Sequence, residues 1–480
     1  MRERSSVGDL VASLKLDVMR YHEGERLPSS RELVQRHQVS PGTMSRAIAV
    51  LVAEGLVVSR PGSGVFRAVG RGKVEIRGDV SWQDVALNAD PASTVDAAAR
   101  SAGAAAVLAT LTTPPAEVID LNSGYLHTSL QPERALATAM ARAGRRPGAW
   151  SRPPVEGLPE LRDWFARDIG GPNSPLSASD VLITAGGQSA LTTALRALAA
   201  PGAPALVESP TYSGILAVVR AAGLRPFPVP VDVDGVRTDL LAEAFEATRA
   251  RVFVCQPLFQ NPTGATMSAQ RRQDVLRVAR AAGAFVIEDD FARRLAHTDS
   301  APLPPPLAAD DPDGVVVHVR SLTKPASPSL RIGALTARGP VFERLRTIQA
   351  VDSFFVPRPL QETALDLLGT SAWASHLRAL GLALRDRRTT THDALRQALP
   401  DLLASNPPQG GYHLWLRLPD GTDENAVVAA AFRSGVAVTA GSPYFAAEAS
   451  AAHIRLSYAS AASTGQLEEG VRRLQQALPA

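Results

Sequence analysis

The sequence has 480 residues, enough for two or three domains. Hydrophobic residues make up 45% and charged residues 20%, which excludes a mainly disordered or fibrous chain. No run of about 18 apolar residues occurs, so no membrane-spanning helix is expected. No apolar run follows the N-terminal residues 1–6, so no secretory signal is expected. Cys255 is the single cysteine, which excludes an internal disulfide and favours a cytoplasmic protein.

The positive charge is concentrated near the N-terminus. The whole chain has a formal net charge of +3, whereas residues 1–73 contain twelve Arg or Lys against seven Asp or Glu. This local excess is typical of a domain that binds a polyanion, and also of an ordinary basic surface.

The first 69 residues predict three helices followed by a short hairpin. Apolar residues recur at helical spacing over 7–21, a second helix begins after Ser29 or Ser30, and a third begins after Ser40. Two short strands then flank the Gly-rich turn 61–64. This order describes a winged helix-turn-helix.

Residues 27–66, LPSSRELVQRHQVSPGTMSRAIAVLVAEGLVVSRPGSGVF, resemble the GntR-type DNA-binding domain. The resemblance implies that a domain over residues 5–69 binds double-stranded operator DNA. Pro41 stands where some relatives carry an arginine. The DNA-contacting residues that the resemblance implies are Arg31, Ser40, Gly42, Thr43, Arg46, Arg60 and Gly62.

Residues 70–116 are predicted to be a linker. The segment is rich in Ala, Asp, Ser and Gly, and its Ala-rich part, Ala97 to Leu111, is compatible with a helix. No chemical role follows from its residues, so we expect a spacer that packs loosely on a neighbour.

From residue 117 onward, apolar strand-like runs alternate with helical stretches. Alternation of this kind predicts an α/β domain with a largely parallel sheet, and ligands then bind beyond the carboxyl ends of the strands. The predicted strands are 181–183, 205–207, 252–254, 285–287 and 315–317, and the helices between them include 189–199, 212–222 and 269–281.

Distinct polar residues follow these predicted strands. The glycines of TAGGQ, after the first strand, open a helix whose free N–H groups suit a phosphate. Tyr212 follows the second strand, Asn261 lies in an NPTG turn after the third, and acidic residues end the fourth.

Lys324 has an unusual place in the composition. Only Lys15, Lys73 and Lys324 are lysines among 50 basic residues. Arginine is not deprotonated at working pH and forms no Schiff base, so a single lysine in a region otherwise served by arginine invites a chemical explanation. Taken without its neighbours, Lys324 is more simply interpreted as a surface lysine.

The order of the glycine turn, the aromatic, NPTG, the strand-end Asp, Ser-x-x-Lys and Arg331 resembles the fold-type I aminotransferases that use pyridoxal 5′-phosphate (PLP). The resemblance covers roughly residues 117–480. It implies that Lys324 forms the Schiff base with PLP and that Arg455 binds a ligand carboxylate. Asp289, with Asp290 as the competing choice, would pair with the ring nitrogen. The implied cofactor-binding residues are Gly186, Gly187, Gln188, Tyr212, Asn261, Asp289, Ser321, Lys324 and Arg331.

Two departures from the family pattern stand out. Phe291 replaces a tyrosine that many relatives carry, which removes one donor to the ring oxygen. Trp150 and Arg152 stand near the place of a tyrosine that usually reaches the phosphate of the partner subunit.

A GntR-like domain ahead of an aminotransferase-like domain is similar to the MocR subfamily of transcription regulators. The resemblance implies a homodimer that senses PLP, or an amino acid or amine exchanging onto Lys324. Two alternatives remain: an active aminotransferase that carries a DNA-binding domain, and a DNA-binding protein whose large domain only dimerises.

Overall fold

The computed structural model describes residues 7–22, 24–60, 63–68, 83, 103–170, 176–403 and 407–478. The chain forms two compact units, residues 1–89 and residues 90–480.

The N-terminal unit is the expected winged helix-turn-helix. Ser29, one of the two predicted caps, accepts a hydrogen bond from Glu32 N and forms a capping box that fixes the start of the second helix. Ser40 caps the third helix by accepting from Thr43 N at 3.1 Å. The elements are α1 (Val7–Val18), α2 (Ser30–His37), α3 (Pro41–Ala53), β1 (Val57–Arg60) and β2 (Gly64–Arg67).

One face of each helix forms the core of this unit, because its apolar residues repeat at helical spacing. The strands β1 and β2 pair antiparallel, with Val58 opposite Phe66. The buried core residues are Leu10, Val11, Leu14, Val18, Leu27, Leu33, Met44, Ala47, Leu51, Val57 and Val65.

The large unit is built on an eight-stranded sheet with the order β4-β11-β10-β9-β8-β5-β6-β7. Five of its strands confirm the predicted runs. Its strands are β4 (Val181–Thr184), β5 (Pro204–Ser209), β6 (Arg225–Asp232), β7 (Gly235–Val236), β8 (Val252–Cys255), β9 (Phe285–Asp289), β10 (Val316–Ser321) and β11 (Gly333–Thr336).

The sheet is parallel through its centre and mixed at its margins. The strands β10, β9, β8, β5 and β6 pair in parallel, whereas β11 runs antiparallel between β4 and β10. Sequence patterning missed β11 because its run GALT is short, and missed β6 because prolines interrupt it.

Helices cover both faces of this sheet and continue into the C-terminal part. They are α4 (Ala104–Leu111), α5 (Glu133–Ala143), α6 (Pro159–Gly170), α7 (Gly187–Leu198), α8 (Ser213–Ala221), α9 (Thr238–Thr248), α10 (Ala269–Ala281), α11 (Pro340–Ser353), α12 (Arg358–Leu368), α13 (Ser371–Ala398), α14 (Glu424–Arg433) and α15 (Thr464–Ala477). None of the helices in the described part of the chain is long and apolar enough to cross a bilayer.

A smaller sheet follows in the C-terminal part. It has the order β12-β15-β14, and a separate pair is formed by β13 with β3. Trp415 lies opposite Arg455 in the β12–β15 register, which places Arg455 on the face away from the apolar core of Leu414, Leu416 and Ile454. The strands are β3 (Ile119–Asp120), β12 (His413–Arg417), β13 (Val436–Ala437), β14 (Thr439–Ala440) and β15 (His453–Ser457).

The predicted linker is more than a spacer. Residues 104–111 form α4, which packs on α8 of the large unit. The rest of the predicted helix, residues 97–102, lies outside the described residues. Alanine-rich composition predicted the helix and packing on a neighbour, but not which element it packs against, because alanine carries no distinctive contact group.

We expect Gly157→Ala to destabilise the large unit much more than Gly202→Ala. Both glycines have positive φ, 98° and 83°. A Cβ at Gly157 would lie 2.3 Å from Ile183 Cγ1 on β4, whereas nothing lies within 4 Å at Gly202. We expect Gly202→Ala to lower the free energy of unfolding by about 1 kcal/mol and Gly157→Ala by about 3 kcal/mol.

Urea unfolding of both variants, followed by tryptophan fluorescence, measures the difference. Equal losses would show that backbone strain alone acts at both positions.

Candidate functional site

One cavity lies at the carboxyl ends of the central parallel strands. Its lining brings together nine residues singled out from the sequence, which come from six separate stretches of chain. They are Gly187, Gln188, Tyr212, Asn261, Asp289, Ser321, Lys324, Arg331 and Arg455.

Lys324 lines this cavity, and its ammonium group loses a proton more readily than that of an ordinary lysine. Its Nζ donates to Gly124 O at 2.7 Å and lies 4.2 Å from the centroid of the Tyr125 ring. Burial and the nearby positive charge of Arg455 lower the pKa of Lys324 to about 7. A substantial fraction of the amine is therefore neutral and nucleophilic near neutral pH.

Asp289 is oriented by a glutamine that the sequence analysis did not single out. Gln256 Nε2 donates to Asp289 Oδ2 at 2.7 Å, while Gln256 Oε1 accepts from Asn261 N at 3.1 Å. The Asn261 N–H fixes the orientation of the Gln256 amide, so the amide can only donate to Asp289. Burial raises the pKa of Asp289 to about 6, and a cation beside it would lower that pKa again.

Asp290, the competing choice, faces a different environment. Consecutive residues at the end of β9 point to opposite sides of the sheet. Asp290 Oδ2 pairs with Arg320 Nη2 at 3.0 Å and with Arg293 Nε at 2.5 Å, and Asp290 does not line the cavity. Despite the burial of Asp290, these two guanidinium groups lower its pKa.

The start of α7 forms another part of the cavity wall. Gly186 has a φ of 85°, and a Cβ there would lie 3.0 Å from Arg331 Cζ. Arg331 Nη2 donates to Ala185 O at 2.6 Å, and Thr323 N donates to Ser321 Oγ at 3.1 Å. Backbone N–H groups at a helix start, with an arginine and a hydroxyl beside them, suit an anion such as phosphate.

Tyr212 and Gln188 complete this wall. Tyr212 immediately precedes α8, and a Cβ at Gly214 would lie 2.3 Å from the Tyr212 ring, so only glycine at 214 allows this position of the ring. Gln188 Nε2 donates to Gly214 O at 3.3 Å and supports the same turn.

Arg455 lies on β15 and lines the same cavity as Arg331. It is 1% exposed, and Nη2 donates to Asn122 O at 2.5 Å. Its Nη1 donates to Asn261 Oδ1 at 3.5 Å. Both partners are uncharged, so the guanidinium is the natural place for a ligand carboxylate.

Several cavity residues were missed by sequence reasoning. Thr110 and Leu111 come from α4, inside the predicted linker, and Tyr125 follows β3. Tyr412 donates to Gly124 O at 2.5 Å, the carbonyl that Lys324 also contacts. His413 also lines the cavity, and burial together with Arg455 and Lys324 lowers its pKa well below its usual range, which keeps it neutral. None of the sequence motifs given above points to Thr110, Leu111, Tyr125 or Tyr412.

The two departures from the family pattern occupy different places. Phe291 lines the cavity, so the position of the missing phenol is part of the site. Trp150 is 83% exposed, and neither it nor Arg152 lines the cavity of its own chain.

The predicted DNA contacts lie on the surface of the N-terminal unit. Arg31, Ser40, Gly42, Arg46 and Arg60 are exposed. Thr43 is half-buried, with its Oγ1 2.8 Å from Ser40 Oγ at the start of α3. The Arg60 guanidinium stands 4.9 Å from the Phe66 ring centroid in the hairpin. Gly62 lies outside the described residues.

The chain matches two protein families. Residues 116–474 match aminotransferase class I and II, and residues 9–66 match the gntR family of bacterial regulatory proteins. The chain belongs to the aminotransferase class I and II family. Its gntR-type N-terminal domain gives it the architecture of the MocR subfamily.

Relatives of this MocR-type chain include regulators and enzymes. The HTH-type transcriptional regulator YdfD of Bacillus subtilis is 28% identical over 94% of this chain and 91% of its own length. The 2-aminoadipate transaminase of Thermus thermophilus is 30% identical over 75% of this chain and 90% of its own length.

A solved structure supports the same fold. The alpha-aminoadipate aminotransferase LysN of Thermus thermophilus, complexed with N-(5'-phosphopyridoxyl)-L-leucine, superposes with a TM-score of 0.71 and 29% identity. The likeness covers 78% of this chain and 96% of LysN.

We expect Lys324 to react with an amine-specific acylating reagent with a midpoint near pH 7, since its pKa is lowered to about 7 and only the neutral amine reacts. Peptide mass spectrometry over a pH series measures the extent of labelling. Lys15, which pairs with Glu54 at 2.9 Å on the surface, is an internal reference in the same sample. A Lys324 midpoint several pH units higher would contradict the lowered pKa.

Proposed function

We propose that this protein is a transcription regulator that binds operator DNA through its N-terminal unit and PLP through Lys324. The observation that carries the proposal is the meeting of Lys324, Asp289 and the anion-binding start of α7 in one cavity, in a chain with a gntR-type domain. PLP itself, or an amino acid or amine that exchanges onto Lys324, is the proposed effector.

The residues of the cavity fit PLP on their own chemistry. The buried Thr323 Oγ1 has no hydrogen-bond partner among the described residues. The Gly186 turn is closed to any side chain by Arg331. An anionic phosphate in that turn would satisfy the hydroxyl and pair with the guanidinium.

Each residue has a distinct task in this proposal. When bound, PLP supplies an aldehyde that condenses with amines and a ring that withdraws electrons. Lys324 supplies the amine, and Asp289, held by Gln256, would keep a proton on the ring nitrogen. Asn261 and Tyr212 would position the ring, and Arg455 would orient the carboxylate of an amino-acid effector.

The DNA-binding half of the proposal rests on exposed arginines around α2, α3 and the hairpin. Arg31 and Arg46 make no ion pair with any described residue, so their charges are available to phosphates or base edges. A homodimer, which the proposal includes, would present two such units to a two-fold operator.

We expect Arg46→Ala to weaken binding to DNA from the protein's own upstream region by at least about tenfold and to reduce the salt dependence of binding, because one cationic contact is removed. Arg20→Ala is the matched control, since Arg20 lies just after α1, pairs with Asp17 at 3.6 Å and is not among the predicted DNA contacts. Fluorescence anisotropy at several stated salt concentrations measures both. Equal losses would indicate a general charge effect.

We expect PLP to change the DNA affinity of the wild type and not that of Lys324→Ala, because the variant lacks the amine that captures PLP. The same anisotropy assay with and without PLP measures the change, and borohydride trapping with peptide mass spectrometry locates PLP. If Lys324→Ala keeps both PLP binding and the DNA response, sensing through Lys324 is wrong.

An active aminotransferase is the second candidate, favoured by the joint presence of Asn261, Asp289, Lys324 and Arg455 in the cavity. Phe291 argues against it, because it offers no hydroxyl to the reacting end of the ring. Steady turnover of an amino donor with a 2-oxo acid would establish this activity, and its absence beside selective DNA binding would favour the regulator.

A further inference from the structure

Asn122 connects the carboxylate end of the cavity to α4. It follows β3 and is half-buried. Its side-chain Nδ2 donates to Ala109 O in the last turn of α4 at 3.0 Å. The last carbonyls of a helix lack partners within the helix, so Asn122 satisfies one of them.

The two oxygen atoms of Asn122 accept hydrogen bonds from Arg455 and Thr439. The backbone O of Asn122 accepts from Arg455 Nη2 at 2.5 Å, and its Oδ1 accepts from Thr439 Oγ1 on β14. Ala109 O requires a donor, so the amide orientation is determined: NH2 toward α4 and Oδ1 toward Thr439. Two hydrogen bonds on one residue thus join Arg455 to α4.

The helix α4 has a special place in the chain. It is the first described helix after the DNA-binding unit, and the chain passes through it before entering β3. Its Thr110 and Leu111 also line the cavity. The helix α4 therefore belongs both to the cavity wall and to the stretch of chain that precedes β3.

We propose that Asn122 is a positioning residue that transmits the occupation of Arg455 to α4, and so to DNA binding. The inference rests on the proposed function and names the regulation of the same site. A ligand carboxylate is a stronger acceptor than the Asn122 carbonyl, so it draws the Arg455 guanidinium away from Asn122. Asn122 then keeps the bond from its N–H to Asp120 Oδ1 but loses the bond on its carbonyl oxygen, and the bond to Ala109 weakens with it.

The test needs no identified effector, because two substitutions each break one of the hydrogen bonds that connect Arg455 to α4. Asn122→Ala removes the bond to Ala109 O, and Arg455→Met removes the bond to Asn122 O. We expect each to speed hydrogen exchange in residues 103–112 of the PLP-loaded, full-length protein by about fivefold or more, as expected for the loss of one hydrogen bond. We expect both to shift the operator Kd in the same direction.

The double variant gives the decisive result. Because both substitutions break one chain of contacts, Asn122→Ala with Arg455→Met shifts the operator Kd no more than either single variant. Thr112→Val is the matched control, since Thr112 Oγ1 donates to Leu108 O at the end of α4. Among the described residues, this hydroxyl forms no hydrogen bond with Asn122 or Arg455. The effect of Thr112→Val adds to that of Arg455→Met.

Asn122→Asp provides a second test of the same bond in case the alanine variant misfolds. It keeps the acceptor for Thr439, replaces the donor to Ala109 O with a carboxylate oxygen that repels that carbonyl, and so reproduces the α4 effect. Thermal midpoints and PLP content are measured for every variant.

Unchanged α4 exchange in both Asn122 variants overturns the inference, and so does an additive double variant. If the wild type binds no operator selectively, the proposed function fails. The exchange data still decide whether Asn122 couples Arg455 to α4.

Discussion

The burial of groups of opposite charge in one cavity sets their pKa values and the kind of ligand that they can bind. Arg455 is 1% exposed, Asp289 is 5% exposed and Lys324 is half-buried, and all three line the cavity. Burying a charge without a partner is costly, so the pKa of Lys324 falls and that of Asp289 rises. Such a cavity is prepared for a ligand that brings both anionic groups and a ring cation.

The surrounding sheet holds these groups in place through a second set of charges. On the other side of β9, Arg320 bridges Asp168 and Asp290, and His318 Nδ1 lies 2.7 Å from Glu288 Oε2. These pairs are buried and join β9 to β10 and α6. They keep the end of β9 rigid, so Asp289 meets the cavity in one orientation.

The proposed link from Arg455 to α4 would give the cavity an output that a regulator needs. An enzyme requires only that the site close over its substrate. A regulator also requires that occupancy alter a segment leading out of the site, and we propose α4 as that segment. Asn122 and the cavity-facing residues of α4 make the predicted spacer part of the proposed sensor.

The amino-acid sequence by itself determined the two-domain organisation and most of the site. Helical spacing, capping serines and alternating strands are local properties, so α1 to α3 and the central strands were predictable. Lys324, Asn261 and Arg331 stand in local motifs at strand ends, where the fold gathers ligands. The choice of Asp289 over Asp290 rested on the motif alone until strand alternation placed only the former in the cavity.

Only the tertiary structure decided the rest. Gln256, Tyr125 and Tyr412 meet Asp289 or Lys324 across long stretches of chain, and no local pattern marks residues whose role is a contact. The link from Arg455 through Asn122 to Ala109 joins positions up to 333 residues apart. Such bonds depend on how β3, β15 and α4 pack together, which is a property of the whole fold and not of any one segment.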